Sequence, residues 1–522
     1  MSRLTSVVRV GLGILRHLWP AYVLASILIL YGFGWGLPDN QYQNLSFHAD
    51  ENAIVGGIRG MQFPRLYPGF FAWGTAVFYQ VWAIQGIVTL HHLVQLPGDA
   101  LYLIGRATVY VYALGTLTLT FVLGRRLFGD ATGRMAATTL AVMPGFVQSS
   151  HYFKTDVPTT FWLVAALLAA YQTLTSRRAL YVGLLGLLLG YAASTKYTSI
   201  VVFPVGLAAI WMARPLALSF PRAVLLYLAA VGVGFLVGTP YAVLRPQEII
   251  NAALDHADLS ATVANSASPI GAPAWLDYII RVLPLSATLT LAMLAAAGLL
   301  WSLLRFDRRL LLVWAFVICY FGYLSVDNYR MVRYTVPLLP FVALFIAYLG
   351  SCLNRAKLTR VLGSIGGIAV IGYAFLFSFS YVQVMAEVDP RIQASQWIAT
   401  HIPTTEPVLV EDTSPTDSPR FDTFGYTSIQ VDYRADRVRH ATGSSYLLVS
   451  EYATRPFGRV TTATDAEEQA FWSLVATDFV EVARFENSQR LLWLDSKKDP
   501  ASITHDWLQP NPRITLYQRV GG

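Results

Sequence analysis

The chain has 522 residues, of which 55% are hydrophobic and only 13% charged, with a mean hydropathy of +0.47. Soluble domains carry about 25% charged residues, and a deficit sustained over hundreds of residues excludes an ordinary water-soluble core as its cause. The net charge of +7 is unevenly held: residues 1–385 contain 25 Lys/Arg against 12 Asp/Glu, and residues 386–522 contain 13 against 19. The basic excess therefore lies beside the apolar runs, where it records orientation in a bilayer and argues against a nucleic-acid partner.

A span needs about 20 mostly apolar residues. Windows that meet or approach this lie at 18–37, 101–123, 134–150, 157–174, 179–194, 198–213, 223–240, 281–303, 310–326, 334–351 and 362–385. They predict a polytopic α-helical membrane protein with about 11 transmembrane helices. The first window is too long, and lacks a small-residue cleavage site, for a removable signal peptide. With Arg3, Arg9 and Arg16 placed in the cytoplasm, the cytoplasmic connections carry Arg125, Arg126 and Arg134; Arg177 and Arg178; Arg214 and Arg222; Arg305, Arg308 and Arg309; and Arg355, Lys357 and Arg360. These segments hold 16 basic residues and two acidic ones, Asp130 and Asp307. That is the positive-inside pattern, and it puts the N-terminus in the cytoplasm.

Two connections on the opposite side are long, 38–100 and 241–280. The first contains Phe70, Phe71, Trp73, Phe78, Tyr79 and Trp82, an aromatic stretch suited to lying in the interface. Beyond 385, Pro, Asp, Thr and Ser become frequent and the apolar runs shrink to strand length, as in Pro407–Glu411 and Tyr446–Ser450. A helix over Pro390–His401 followed by short strands gives a small C-terminal extracytoplasmic α/β domain over 386–522, after a membrane domain over 1–385. Cys319 and Cys352 both fall in apolar segments, so no disulfide framework is expected.

Ionisable residues near a membrane core are costly and are functional candidates by default. The external side gathers His48-Ala49-Asp50-Glu51 after span one, His151 through Pro158 (with Lys154 and Asp156) between spans three and four, and Thr195-Lys196-Tyr197 between spans five and six. Asp327 through Tyr334, with Arg330 and Arg333, joins spans nine and ten, and Arg106 lies about a turn inside span two. Acids from two loops and cations from several others suit the deprotonation of a hydroxyl beside a held phosphate. Each also has a plainer reading. Asp156 before Pro158, and Asp50 with Glu51, suit helix N-termini; Lys196 suits a snorkelling side chain; Arg330 and Arg333 suit interface anchors. P-loop, HExxH, GxSxG and CxxC signatures are missing. The pair His91-His92 is a weak metal candidate.

In order and topology these motifs resemble the GT-C glycosyltransferases: an acidic pair after the first span, an aromatic-x-x-Asp-x-Pro motif opening the fourth, and a Thr-Lys-Tyr turn. The resemblance is to the dolichyl-phosphate-mannose protein mannosyltransferase superfamily, which is glycosyltransferase family 39-like, in its bacterial type, and includes the aminoarabinose transferase of lipid A. Gly124–Gly129 after span two, Arg333–Pro340 opening span ten and Ala394–Ile398 in the tail are similar features. The resemblance implies a GT-C-like enzyme of the bacterial-type inner membrane. It would move a hexosyl or pentosyl group from a polyprenyl-phosphate donor to an acceptor hydroxyl on protein, lipid or glycan, with inversion. It implies Asp50 as general base, Glu51 and Asp156 orienting acceptor or sugar, and Lys196 with Arg330 or Arg333 neutralising the lipid phosphate. Arg106, His151 and Lys154 complete the expected substrate-binding set. No insertion matches a MIR domain, and the Asp-x-Asp metal motif of oligosaccharyltransferases is replaced by Asp50-Glu51. Metal-independent catalysis without a cofactor is therefore expected, with a divalent ion allowed but not required. The alternative is a transporter or lipid flippase, yet transporters often show related halves with broken midplane helices, whereas here polar residues crowd the external ends. A tail-presenting assembly protein would need only one or two spans.

Overall fold

A computed structural model describes residues 2–89, 97–263, 271–327, 329–353, 357–411, 416–441, 443–452, 465–497 and 503–520. The His91-His92 pair lies outside them. α1 (Ser2–Leu30) leads into two shorter helices, α2 (Ala49–Gly60) and α3 (Ala76–Val88), and then the long α4 (Ala100–Phe128). The apolar window 134–150 forms two helices, α5 (Asp130–Ala141) and α6 (Pro144–His151). Met143 is extended and Pro144 opens α6, because proline has no amide hydrogen to continue the preceding helix.

α7 (Asp156–Ser176) and α8 (Ala179–Thr195) follow, then a 3-10 turn over Tyr197–Val202, α9 (Phe203–Met212) and α10 (Phe220–Gly238). α8 packs on α10 at backbone contact. A Cβ on Gly190 would sit 2.0 Å from the Val231 carbonyl oxygen, and one on Gly234 would sit 2.2 Å from that of Leu187; only glycine permits this approach. α11 (Tyr241–Leu244), α12 (Pro246–Val263), α13 (Ala274–Asp277) and α14 (Leu283–Ala287) make the next connection. α15 (Leu289–Leu304), α16 (Leu311–Leu324), a 3-10 segment Val332–Leu338, α17 (Leu339–Leu353) and α18 (Lys357–Val382) complete the helical part.

Among the described residues, five helices are long and apolar enough to cross a membrane. The pair Ala274–Ala287 and Leu289–Leu304, bent by 117°, supplies a sixth, and four shorter apolar helices accompany them. Several predicted windows are thus realised as short or broken helices rather than single rods. Part of the aromatic stretch of the first long connection packs inside the protein: Phe78, with Val77 and Val81, is fully buried where α3 meets α2, α4 and α10, whereas Ile87 and Val88 farther along α3 are exposed.

The tail begins beyond a 3-10 turn at Gln383–Ala386 with α19 (Pro390–His401), as the sequence predicts. β1 (Val408–Val410) pairs in parallel with β2 (Ser428–Gln430) and β3 (Tyr446–Ser450). After α20 (Ala435–His440) and α21 (Asp465–Asp478) come β4 (Phe479–Phe485), the hairpin strands β5 (Arg490–Leu491) and β6 (Leu494–Asp495), α22 (His505–Leu508) and β7 (Ile514–Arg519). The five-stranded sheet runs β2-β1-β3-β7-β4, with β7 antiparallel to both neighbours. Alternate side chains feed two small cores: Leu409, Leu447 and Val449 on one face, Val408, Val410 and Leu448 on the other.

Buried polar contacts join tail and helices. Arg391, fully buried, holds Asp389 through two hydrogen bonds of 2.8 and 2.7 Å and lies 3.8 Å over the Phe47 ring. Asp389 also accepts from the Trp35 indole at 3.1 Å, and the Gln509 amide donates to the Phe47 carbonyl at 3.0 Å. Trp507, also fully buried, packs 4.1 Å from the Tyr381 ring.

Candidate active site

Five charged side chains from four separate segments line one narrow cleft: Asp50, Lys154, Asp156, Lys196 and Arg333, with Trp73 and Tyr334 beside them. Asp50 stands in the first turn of α2, whose N-cap is His48; the His48 Nδ1 accepts from the Asp50 amide at 3.2 Å. The Asp50 Oδ2 accepts from Arg333 Nη1 at 2.8 Å. This pair is part-exposed, at 18% and 14%, and among the described residues Oδ1 has no hydrogen bond in the protein.

Asp156 opens α7, but its carboxylate does not cap that helix. The N-cap is Thr155, which makes no side-chain capping bond, and the Asp156 Oδ1 accepts from Lys196 Nζ at 2.6 Å instead. Lys196 ends α8 in an extended conformation and stands 4.6 Å over the Tyr334 ring. It points into protein rather than snorkelling. Lys154, only 2% exposed, lies 5.0 Å over the Tyr152 ring, and its Nζ has no hydrogen-bond partner among the described residues. Burial, and then the nearby Arg333, push its pKa down. Asp156, Asp50 and Asp506 lie within electrostatic reach of Lys154 and partly oppose that shift, but among the described residues none hydrogen-bonds its ammonium.

Other residues predicted for the site lie elsewhere. Glu51 is fully buried behind the cleft and accepts four hydrogen bonds: from Arg106 Nε at 2.8 Å and Nη2 at 2.7 Å, from Ser46 Oγ at 2.5 Å and from the Phe153 amide at 2.8 Å. A carboxylate offers about four acceptor positions, so Glu51 has none left for an acceptor or sugar. Arg106 also donates from Nη1 to the Phe33 and Trp35 carbonyls, which removes it from substrate binding. His151 has both ring nitrogens against carbonyls, Val147 at 2.9 Å and Tyr31 at 3.2 Å. Arg330 faces Asp277 at 3.4 Å, beside the bidentate Arg281–Asp277 pair, and does not line the cleft; Arg333 does. His48 is buried, and its pKa is held well below the ordinary value by burial first and by Lys154, Arg333 and Arg106 next, so it is neutral.

One contributor comes from the tail. The Asp506 carboxylate accepts from the backbone amides of Val332 at 3.2 Å and Arg333 at 3.0 Å, and its carbonyl accepts from Gln148 at 2.7 Å. It thereby caps the 3-10 segment that carries Arg333. Asp506 lies in an ordinary-looking stretch far along the chain, and no local motif marks it. Among the described residues no group of three His, Cys, Asp or Glu side chains is arranged to hold a metal. Between α7, α8 and α9 a shallow apolar crevice of about 10 Å³, lined by Leu163, Leu167, Leu189, Val202 and Phe316, is flanked by the helices that carry Asp156 and Lys196.

Residues 100–240 match the dolichyl-phosphate-mannose-protein mannosyltransferase family. The fold is similar to that of the oligosaccharyltransferase AglB from Archaeoglobus fulgidus, solved with an inhibitory peptide and a dolichol-phosphate: TM-score 0.51 at 12% identity, over 98% of this chain and 88% of that one. ArnT from Cupriavidus metallidurans in the apo state gives 0.48 at 12% identity, over 95% and 97%. No curated protein sequence matches the chain.

Proposed function

We propose that this chain is a membrane glycosyltransferase of the GT-C superfamily, transferring a sugar from a polyprenyl-phosphate donor to an acceptor hydroxyl with inversion. The observation that carries the reading is one cleft that holds, among the described residues, a carboxylate with an open oxygen, a second carboxylate held by lysine, and an ammonium with no hydrogen bond. Asp50 accepts the hydroxyl proton through its free oxygen as the acceptor oxygen bonds to the anomeric carbon. The bond from that carbon to the phosphate oxygen breaks, and its electron pair leaves with the phosphate. Lys154, Lys196 and Arg333 neutralise that charge, so the leaving group needs no proton. Asp156 holds Lys196 in place. AglB, whose fold is similar, is solved in complex with a dolichol-phosphate, a lipid phosphate of the class proposed here as the leaving group.

The finer topology follows the charge pattern: about eleven crossings, a cytoplasmic N-terminus, and cleft and tail on the external face of a bacterial-type inner membrane. The acceptor belongs to protein, lipid or glycan. We take the reaction to need no metal, since three cations already face the leaving group; a chelator titration tests this. Transport remains the other use of buried charge, but nothing in the cleft favours it. The decisive experiment reconstitutes the protein in nanodiscs with polyprenyl-phosphate sugars carrying labelled sugar, alongside mass spectrometry of glycans and lipids from parent and deletion strains. Label appearing on an acceptor, and a glycan or lipid missing from the deletion strain, support the reading. Untouched donors and unchanged glycans and lipids overturn it.

A further inference from the structure

The β5–β6 hairpin turns through Leu492 and Trp493, which are 66% and 77% exposed. Leu492 adopts φ +56°, a conformation costly for a branched side chain, and the turn so formed points two large apolar groups away from the tail's own cores. Surface Trp beside Leu is unfavourable in water and marks a contact with something apolar.

The hairpin's neighbours say what that contact is. Gln383, just past the end of α18, donates from Nε2 to the carbonyls of Ser488 and Arg490, both at 3.1 Å. Both strands pack against α18 itself, so the hairpin lies along the last turns of a spanning helix. The candidate span that includes α18 is the least buried within the protein, at 11%, with Val361, Leu362, Ile365 and Ile368 toward its start exposed by 52–73%. Arg490, 66% exposed and 3.8 Å from Asp495 across the hairpin, adjoins the apolar tip. Tryptophan at the headgroup level with a neighbouring arginine is the usual chemistry of a bilayer boundary.

We propose that the Leu492–Trp493 tip inserts into the headgroup boundary of the leaflet beside the cleft, with Arg490 at the level of the lipid phosphates. The hairpin thereby fixes the height of the tail over the membrane. The inference takes from the proposed function only that α18 crosses the bilayer. It also connects to the cleft: Ser496, directly after β6, accepts from the Trp507 indole at 2.9 Å, and Trp507 adjoins the Asp506 that caps the Arg333 segment.

The test uses the full chain with Cys319 and Cys352 replaced by alanine, spin-labelled at Trp493→Cys or Leu492→Cys and reconstituted in phosphatidylethanolamine–phosphatidylglycerol vesicles. Power saturation compares dissolved oxygen with a water-soluble nickel chelate. Oxygen should relax the tip labels several-fold more strongly than the chelate, while a label at the exposed Arg439 shows the reverse. Two labelled positions guard against a local effect of either substitution. Chelate dominance at both tip positions overturns the inference. Lipid exposure of the tip in a protein without transferase activity would sink the glycosyl-transfer reading and leave this one standing.

Discussion

Asp50 and Glu51 are neighbours in the chain, each paired with an arginine, and they do opposite things. The Glu51–Arg106 pair is sealed, 0% and 1% exposed, with every acceptor position filled. The Asp50–Arg333 pair is looser, with one bond between the side chains and one carboxylate oxygen open. Both first-turn acids gain from the amides of the α2 N-terminus, so that shared feature does not separate them. The number of donors around each does. A saturated buried carboxylate organises structure, whereas a half-satisfied one beside a cleft is free to take a proton.

The comparison breaks if the two substitutions behave alike. Asp50→Asn should lower kcat by about 10²–10⁴-fold, the contribution of a positioned base, with thermal stability changed by no more than about 1 kcal/mol, since the pair is part-exposed; full transferase activity would remove Asp50 as base. Glu51→Ala should instead cost about 3–5 kcal/mol of stability by stranding the buried Arg106, read as a lower melting temperature in detergent. An intact melting curve would contradict the sealed role.

The next two sharpen the contrast between a cation held in place and one left waiting. Asp506→Ala leaves the Val332 and Arg333 amides without their acceptor, costing about 1–3 kcal/mol. It should lower kcat more than it raises the donor KM, and Asp506→Asn should recover part of the loss; unchanged kinetics would make the contact merely structural. Lys154→Met should raise the donor KM about ten-fold, the worth of roughly one charge-assisted hydrogen bond. The sign for stability is the opposite. Burial and Arg333 lower the Lys154 pKa below its ordinary value of 10.5, so folding sheds part of a proton and stability rises with pH between the folded and ordinary values. Lys154→Met should abolish that rise and increase the melting temperature at neutral pH. A destabilised variant would mean that Lys154 has a partner after all.

The sequence discloses what depends on local pattern. Hydropathy finds the apolar segments, and α19 and β3 appear where their residues predict. The motifs at Asp50, Asp156, Lys196 and Arg333 do meet in one cleft. What stays hidden depends on distant partners. Choosing Asp50 over Glu51 requires knowing that Arg106, Ser46 and Phe153 converge on the latter. Choosing Arg333 over Arg330 requires seeing Asp277, in another segment, face Arg330. The inward turn of Phe78 depends on α2, α4 and α10 offering a surface, which no amphipathic pattern announces.

The Asp506 cap has a consequence for biosynthesis. A ribosome delivers residues 332 and 333 long before residue 506, so the two amides must wait without their acceptor until that residue emerges. A polypeptide that stopped short of α22 would already hold all its membrane helices, yet its arginine-bearing turn would lack the carboxylate that fastens it. The arginine-bearing turn would then be fastened only as α22 docks, well after the helices before it have formed.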